Sequence, residues 1–201
     1  AHNRHILGML SAILGGRALA DAVDIIACGV GPGSFTGLRV AVSVAQGLAW
    51  SQDMPVHGFC SLEAQAHTAG HHGLLREGDR VLSVIDAQID QFYGLWGDWR
   101  GGAFATDGEA FVCAPEGLLA ESSCPATIVI GSGARYQERM PSDLISTARS
   151  LPDVTPDARV MAELLGRGSL ALQPKPAHAL SPQYVQREIG WKKLSEQGRR
   201  D

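Results

Sequence analysis

The alternation of apolar and polar positions opens with a helix. Ile6, Leu7, Met9, Leu10, Ile13 and Leu14 fall within roughly 160° of one another at about 100° per residue. Gly15-Gly16 marks its stop, and a short second helical piece is expected over 17–22. Behind Asp24, the run Ile25-Ile26-Ala27-Cys28-Gly29-Val30 is short, apolar and bounded by glycine, which predicts a buried strand. A glycine loop, Gly31-Pro32-Gly33-Ser34-Phe35-Thr36-Gly37, leads into a helix over 38–50. Residues 55–59 read as the next strand, and Ser61 as the cap of another helix. Strand, helix, strand in this order predicts a parallel pair joined by a crossover.

The glycine- and histidine-rich stretch 70–78 reads as a hinge and divides the chain into lobes over 1–78 and 79–201. Beyond it, 80–87 is a strongly apolar strand and 91–96 an aromatic-rich one. Gly101-Gly102 then turns the chain into a third strand over 103–112. Pro115 opens a short helix, and 126–130 is a further buried strand. Thr155-Pro156-Asp157 starts a helix over 160–165 that Gly166 stops. The three-proline segment from Pro174 is expected to run extended to about Tyr184 and to return to the first lobe. An apolar strand followed by a glycine loop occurs at 25–33 and again at 128–133, a coarse echo that suggests two related halves. The fold class is α/β.

Composition narrows the function. Hydrophobic residues are 45% of the 201 and charged residues 19%, low for a surface wholly in water. Some of that surface is expected to face a partner. A net charge of -4 argues against a protein that grips nucleic acid directly. The local exception is the tail, with Arg187, Lys192, Lys193, Arg199 and Arg200, which Glu188 and Glu196 dilute. Cys28, Cys60, Cys113 and Cys124 form no C-x-x-C pair, so a zinc knuckle is not expected and a reducing, cytoplasmic setting is. No signal peptide or apolar run of membrane-spanning length is present.

The glycine loop invites a phosphate reading, since a strand-to-helix turn presents free N–H groups. Yet it lacks the Gly-Lys-Ser/Thr ending of a P-loop, and its third glycine falls one residue late for a dinucleotide fingerprint. Phe35, in its middle, suits packing or a partner pocket better than phosphate. In the following helix, Arg39, Ser43, Gln46 and Gly47 make one narrow polar or small stripe, and nearly everything else is apolar. Such a helix must be covered on both sides. A sheet covers one. The other is covered by the first helix, by a second subunit or by both, unless the helix lies wholly inside its own domain.

His67, His71 and His72 have the spacing of a helical zinc pair, but no H-E-x-x-H glutamate accompanies them. Solvent-exposed hinge histidines are the expectation, and no metal site is predicted. Asp86 and Asp90 could act as paired acids, although a strand end and a turn account for both.

"GVGPGSFTGLRVAVSVAQGLAW", "VLSVIDAQIDQFYGLW" and "SPQYVQREIGWKKL" together resemble the TsaB (YeaZ) family, in order over nearly the whole chain. The resemblance implies an actin-like ATPase (ASKHA, ribonuclease H-like) fold of two lobes. It implies a dimerisation subunit with no catalysis of its own. Such a subunit pairs with a TsaD-like catalytic paralogue and a TsaE-like ATPase for threonylcarbamoylation of adenosine 37 in ANN-decoding tRNAs. It implies a homodimer when alone, tRNA contact only through the complex, and no cofactor of its own, ATP or ADP belonging to the complex. The family packs through helices of the first lobe. Carried over, the interface comprises Ile6, Met9, Leu10 and Ile13 with Leu38, Arg39, Val42, Ser43 and Gln46, set up by the loop Gly31 to Gly37. Val42→Glu is accordingly expected to break pairing and leave the monomer folded. Two departures stand out. The family's opening strand and hairpin have no counterpart here, so the first lobe is expected to lack about thirty residues. Gln88 stands where the family commonly has arginine. The competing readings are an ATP-using actin-like enzyme, a metallopeptidase-like protein and a tRNA-binding module.

Overall fold

The computed structural model describes residues 5–119 and 125–185. Cys124 and the basic tail fall outside them. Helix α1 spans Ile6–Leu14 and α2 Leu19–Ala22. Strand β1 (Ile26–Gly31) leads into helix α3 (Phe35–Ser51), and β2 (Val56–Cys60) follows. The two strands pair in parallel from Ile26 opposite Val56 to Gly29 opposite Phe59, as the strand–helix–strand order predicts. Helix α4 (Ser61–His71) begins directly after β2. Cys60, not Ser61, holds its cap position, and no side chain caps it.

Strands β3 (Arg80–Gln88), β4 (Gln91–Arg100) and β5 (Ala103–Cys113) form an antiparallel meander. Strand β6 (Ile128–Ile130) adds to β3 in parallel. After the short helix α5 (Ser142–Ile145), strand β7 (Arg149–Leu151) adds to β6. The sheet order is β5-β4-β3-β6-β7. Helix α6 (Ala158–Gly166) follows, with Asp157 as its cap, accepting from the Arg159 N–H at 2.7 Å.

The period of two along these strands splits the larger sheet between two cores. Val81, Leu95, Trp99, Phe104, Ile128 and Ile130 pack with Leu62, Ala66 and Ala69 of α4. Leu82, Val84, Phe92, Trp96 and Val129 pack on the opposite face with Met140 and Ile145. Gln65, 1% exposed, binds α4 to this sheet through Ser83 Oγ at 2.9 Å and the Ile130 carbonyl at 3.1 Å.

The stretch 70–78 departs from the open hinge expected of it. Gly70 lies inside α4, where the Trp99 indole sits against its bare Cα, and Leu75 is buried. His67 is buried too, edge-on to Trp99 at 6.0 Å, so only His71 and His72 of the three histidines are exposed. A helix packed between two sheets draws its inward histidine into the core.

A third core joins β1, α3 and β2 to the end of the described chain. Cys28, Val30, Val42, Ala45, Ala49 and Val56 pack with Ala177 and Leu180. Lys175 pairs with Val56 in an antiparallel bridge, and the Gln183 N–H donates to the Val30 carbonyl at 2.8 Å. The segment 174–185 therefore lies across the first sheet and its helix.

Candidate docking surface

The turn between β1 and α3 decides what the glycine loop does. Ser34, not Gly37, ends the loop: its Oγ accepts from the Gly37 N–H at 3.4 Å, and Phe35, Thr36 and Gly37 become the first turn of α3. Only Pro32, Gly33 and Ser34 remain between strand and helix. Gly31 stands at φ 134° with the Gln183 carbonyl pressed against its Cα, so no side chain fits there. Pro32 is buried and Gly33 half-buried. The loop thus admits the closing segment and aims the helix. The echo at β6 has the same design: Gly131, at φ 95°, lets the chain leave the strand for a 3₁₀ turn over Ser132–Arg139.

Helix α3 has a clear inside and outside. Leu38, Val42, Ala45 and Ala49 are buried against the sheet. Leu38 and Val42, expected at the interface, are thereby corrected. Val42 is only 4% exposed, so Val42→Glu would bury a charge in the core and unfold the lobe rather than test pairing. The outward stripe is Phe35, Arg39, Ser43 and Trp50, spaced by fours and a seven. Gln46 lies at its edge, its Nε2 donating to the Leu180 carbonyl at 2.8 Å. Sequence periodicity missed Trp50, which is 73% exposed. Its signal was the i+7 spacing from Ser43.

Helix α1 is more extreme. None of its residues is buried, and none joins the three cores. Leu7 is 68%, Met9 62% and Ile13 78% exposed, while Ile6 and Leu10 are half-buried. Among the described residues this is a concentration of exposed large apolar side chains of the kind that interaction sites present.

Among the described residues, the acids and thiols singled out in the sequence are paired or at least half-buried. Asp86 accepts from Arg135 at 2.6 Å and from the Tyr136 hydroxyl at 3.0 Å, and Asp90 pairs with Arg139 at 3.1 Å. Between the two acids the β3–β4 tip carries Gln88, Ile89 and Asp90 at positive φ, with Ile89 in solvent. Burial pushes the Cys28 and Cys60 thiols up, and that of Cys113 to about 11, so all three stay protonated and poorly nucleophilic at neutral pH. Among the described residues no group of three or more His, Cys, Asp or Glu is placed to share a metal ion. Nor, among them, is any helix long and apolar enough to cross a membrane.

Comparison with known proteins places this architecture. The family described as TsaD, tRNA N6-adenosine threonylcarbamoyltransferase, matches residues 1–100. The tRNA threonylcarbamoyladenosine biosynthesis protein TsaB of Haemophilus influenzae is 32% identical over 96% of this chain and 83% of its own length. Its Escherichia coli namesake is 37% identical over 49% of this chain and 41% of its own. YeaZ from Pseudomonas aeruginosa superposes with a TM-score of 0.73 at 31% identity, covering 91% of this chain and 84% of that one. A second Pseudomonas aeruginosa structure, described as an uncharacterized protein with similarity to peptidase YEAZ, gives 0.79 at 31% identity, over 92% and 85%. The fold is the α/β actin-like one. The chain belongs to the TsaB (YeaZ) family of tRNA threonylcarbamoyladenosine biosynthesis.

Proposed function

We propose that this protein is a non-catalytic docking subunit, acting in the cytoplasm. Through α1 and the outward stripe of α3 it holds a TsaD-like catalytic subunit, which a TsaE-like ATPase joins, for transfer of a threonylcarbamoyl group to adenosine 37 of ANN-decoding tRNAs. Residues 1–78 form the docking lobe and 79–201 its support. The chain binds no nucleotide or metal of its own, and it meets tRNA only within the complex.

The observation that carries this reading is α1. Nine residues with no ionised side chain fold into a helix that the other described residues leave uncovered. Keeping about 25 cal/mol for every Å² of apolar surface in water is a standing cost that a partner removes. A stable pairing is expected to bury more than about 1,000 Å² in total.

The test uses Leu7→Glu and Ile13→Glu. Both side chains are in solvent, so the isolated chain should melt as the wild type does, within about 0.5 kcal/mol. Co-purification with the catalytic subunit, followed by sedimentation velocity, should show association weakened about 100-fold or more, since a central apolar anchor carries ~3 kcal/mol. Undiminished association of both variants would dismiss α1 as the docking element.

A further inference from the structure

Helix α3 holds 17 residues and one ionisable side chain, Arg39; α1 holds none. Arg39 lies on the outward stripe. Its guanidinium carbon sits 3.8 Å from the Phe35 ring centroid and 6.0 Å from that of Tyr184, and its Nε donates to the Tyr184 hydroxyl at 3.0 Å. The two rings are 5.6 Å apart and tilted by 36°. Tyr184 is itself anchored, because its neighbour Gln183 donates to the Val30 carbonyl and Leu180 accepts from Gln46. The cation thus lies over the Phe35 ring and beside that of Tyr184, pinned at Nε. Among the described residues no acid forms an ion pair with its terminal nitrogens.

A partner that covers this stripe takes Arg39 out of water. A cation buried without a counter-charge costs more than the surrounding apolar contact returns. The covering surface must therefore bring an acid, and the planar fork of Arg39, which no acid among the described residues pairs with, suits a carboxylate bidentately. A second copy docked through the same two helices brings no acid from either of them and adds a second guanidinium.

We infer that Arg39, stacked on Phe35 and hydrogen-bonded to Tyr184, pairs with a carboxylate of the docking partner and so favours that partner over a second copy of this chain. The inference deepens the docking role proposed above and rests on it. The closing segment, which supplies Tyr184, is on this account part of the recognition surface as well as of the core.

Full-length Arg39→Met, Arg39→Lys and Tyr184→Phe test it. Each is titrated against the purified TsaD-like subunit at low and high sodium chloride, and self-association is followed by sedimentation. Arg39→Met strands the partner's acid, so heterologous affinity should fall about 30-fold or more, and its salt dependence should flatten. Self-association should stay the same or tighten. Arg39→Lys and Tyr184→Phe keep the charge and lose part of its geometry, so their losses should be smaller. Wild-type affinity in Arg39→Met, or an equal fall in heterologous and self-association, overturns the assignment. If the wild type itself does not bind the catalytic subunit, the docking role fails with it. If the wild type binds and Arg39→Met binds equally, only the role of Arg39 fails.

Discussion

At Gly131 the chain turns at φ 95°, with the Gln65 amide and the Val84 carbonyl against its Cα. A methyl group there meets a backbone oxygen that cannot withdraw and displaces a buried amide that joins α4 to the sheet. Gly131→Ala should cost about 3 kcal/mol, combining overpacking with an unfavourable left-handed backbone. Gly47 is its counterpart. It lies in the interior of α3 with nothing within 4 Å of its missing Cβ, so Gly47→Ala should stabilise by about 0.5–1 kcal/mol. Urea midpoints of the two variants should move in opposite directions; movement in the same direction would show that the packing around Gly131 yields. His67 adds a pH term at this scale. Burial lowers its pKa below the ordinary 6.5. As pH falls below about 6.5, the unfolded chain takes up a proton that the folded chain refuses, so stability is full above that value and declines through the window down to the folded pKa. Glu63 acts with the opposite sign. Burial raises its carboxyl pKa above 4.5, so its contribution is present below 4.5 and is lost as pH rises through the folded value. Between pH 7.5 and 5.5 the wild type should lose more stability than His67→Gln, which retains the other titrating groups. Equal losses would mean that the imidazole finds water or a partner when charged.

At the scale of elements, much of the chain was legible. Strands β3 and β4 announce themselves because most of their residues are packed on one face of the sheet or the other, which makes their sequences apolar, and Gly101-Gly102 punctuates the turn to β5. Helix α1 kept its bounds, Ile6–Leu14, since a stripe and a double glycine delimit it. The proposed docking face was only half legible, and α3 shows why. A helix apolar around most of its circumference carries no amphipathic signal to separate the sheet side from the partner side. Val42 and Leu38, which the resemblance assigns to the interface, therefore meet no contrary signal in the helix pattern, and Trp50 is marked only by its i+7 spacing from Ser43. Phe35, written in the sequence as part of a loop, is the first residue of the helix because Ser34 is the cap. The hold of Tyr184 on Arg39 was not legible at all, since the two meet across 145 positions of sequence. Once the inward set is assigned, the outward one follows from geometry. Phe35, Arg39, Ser43 and Trp50 are what a partner on this side of α3 meets.

The described residues pack into three cores, and the smallest is the one that carries α3. Two parallel strands and one helix bury little on their own. Ala177 and Leu180, arriving from far along the chain, complete their core. That dependence predicts uneven stability. Leu180 is 4% exposed, and Leu180→Ala should cost about 2–4 kcal/mol by leaving a cavity over Val30 and Val42. Local opening is governed by the contacts of each unit rather than by those of the chain. The loss should therefore fall on β1, α3 and β2, whose amides should exchange hydrogen faster, while β3, β4 and β6, packed in two other cores, keep wild-type protection. A uniform rise in exchange across both sheets would show that the molecule opens as one unit and that the closing segment is no special support of the first. With the predicted pattern, the same variant should also weaken association with the catalytic subunit, because the segment that holds α3 down from one side also presents Tyr184 to Arg39 on the other.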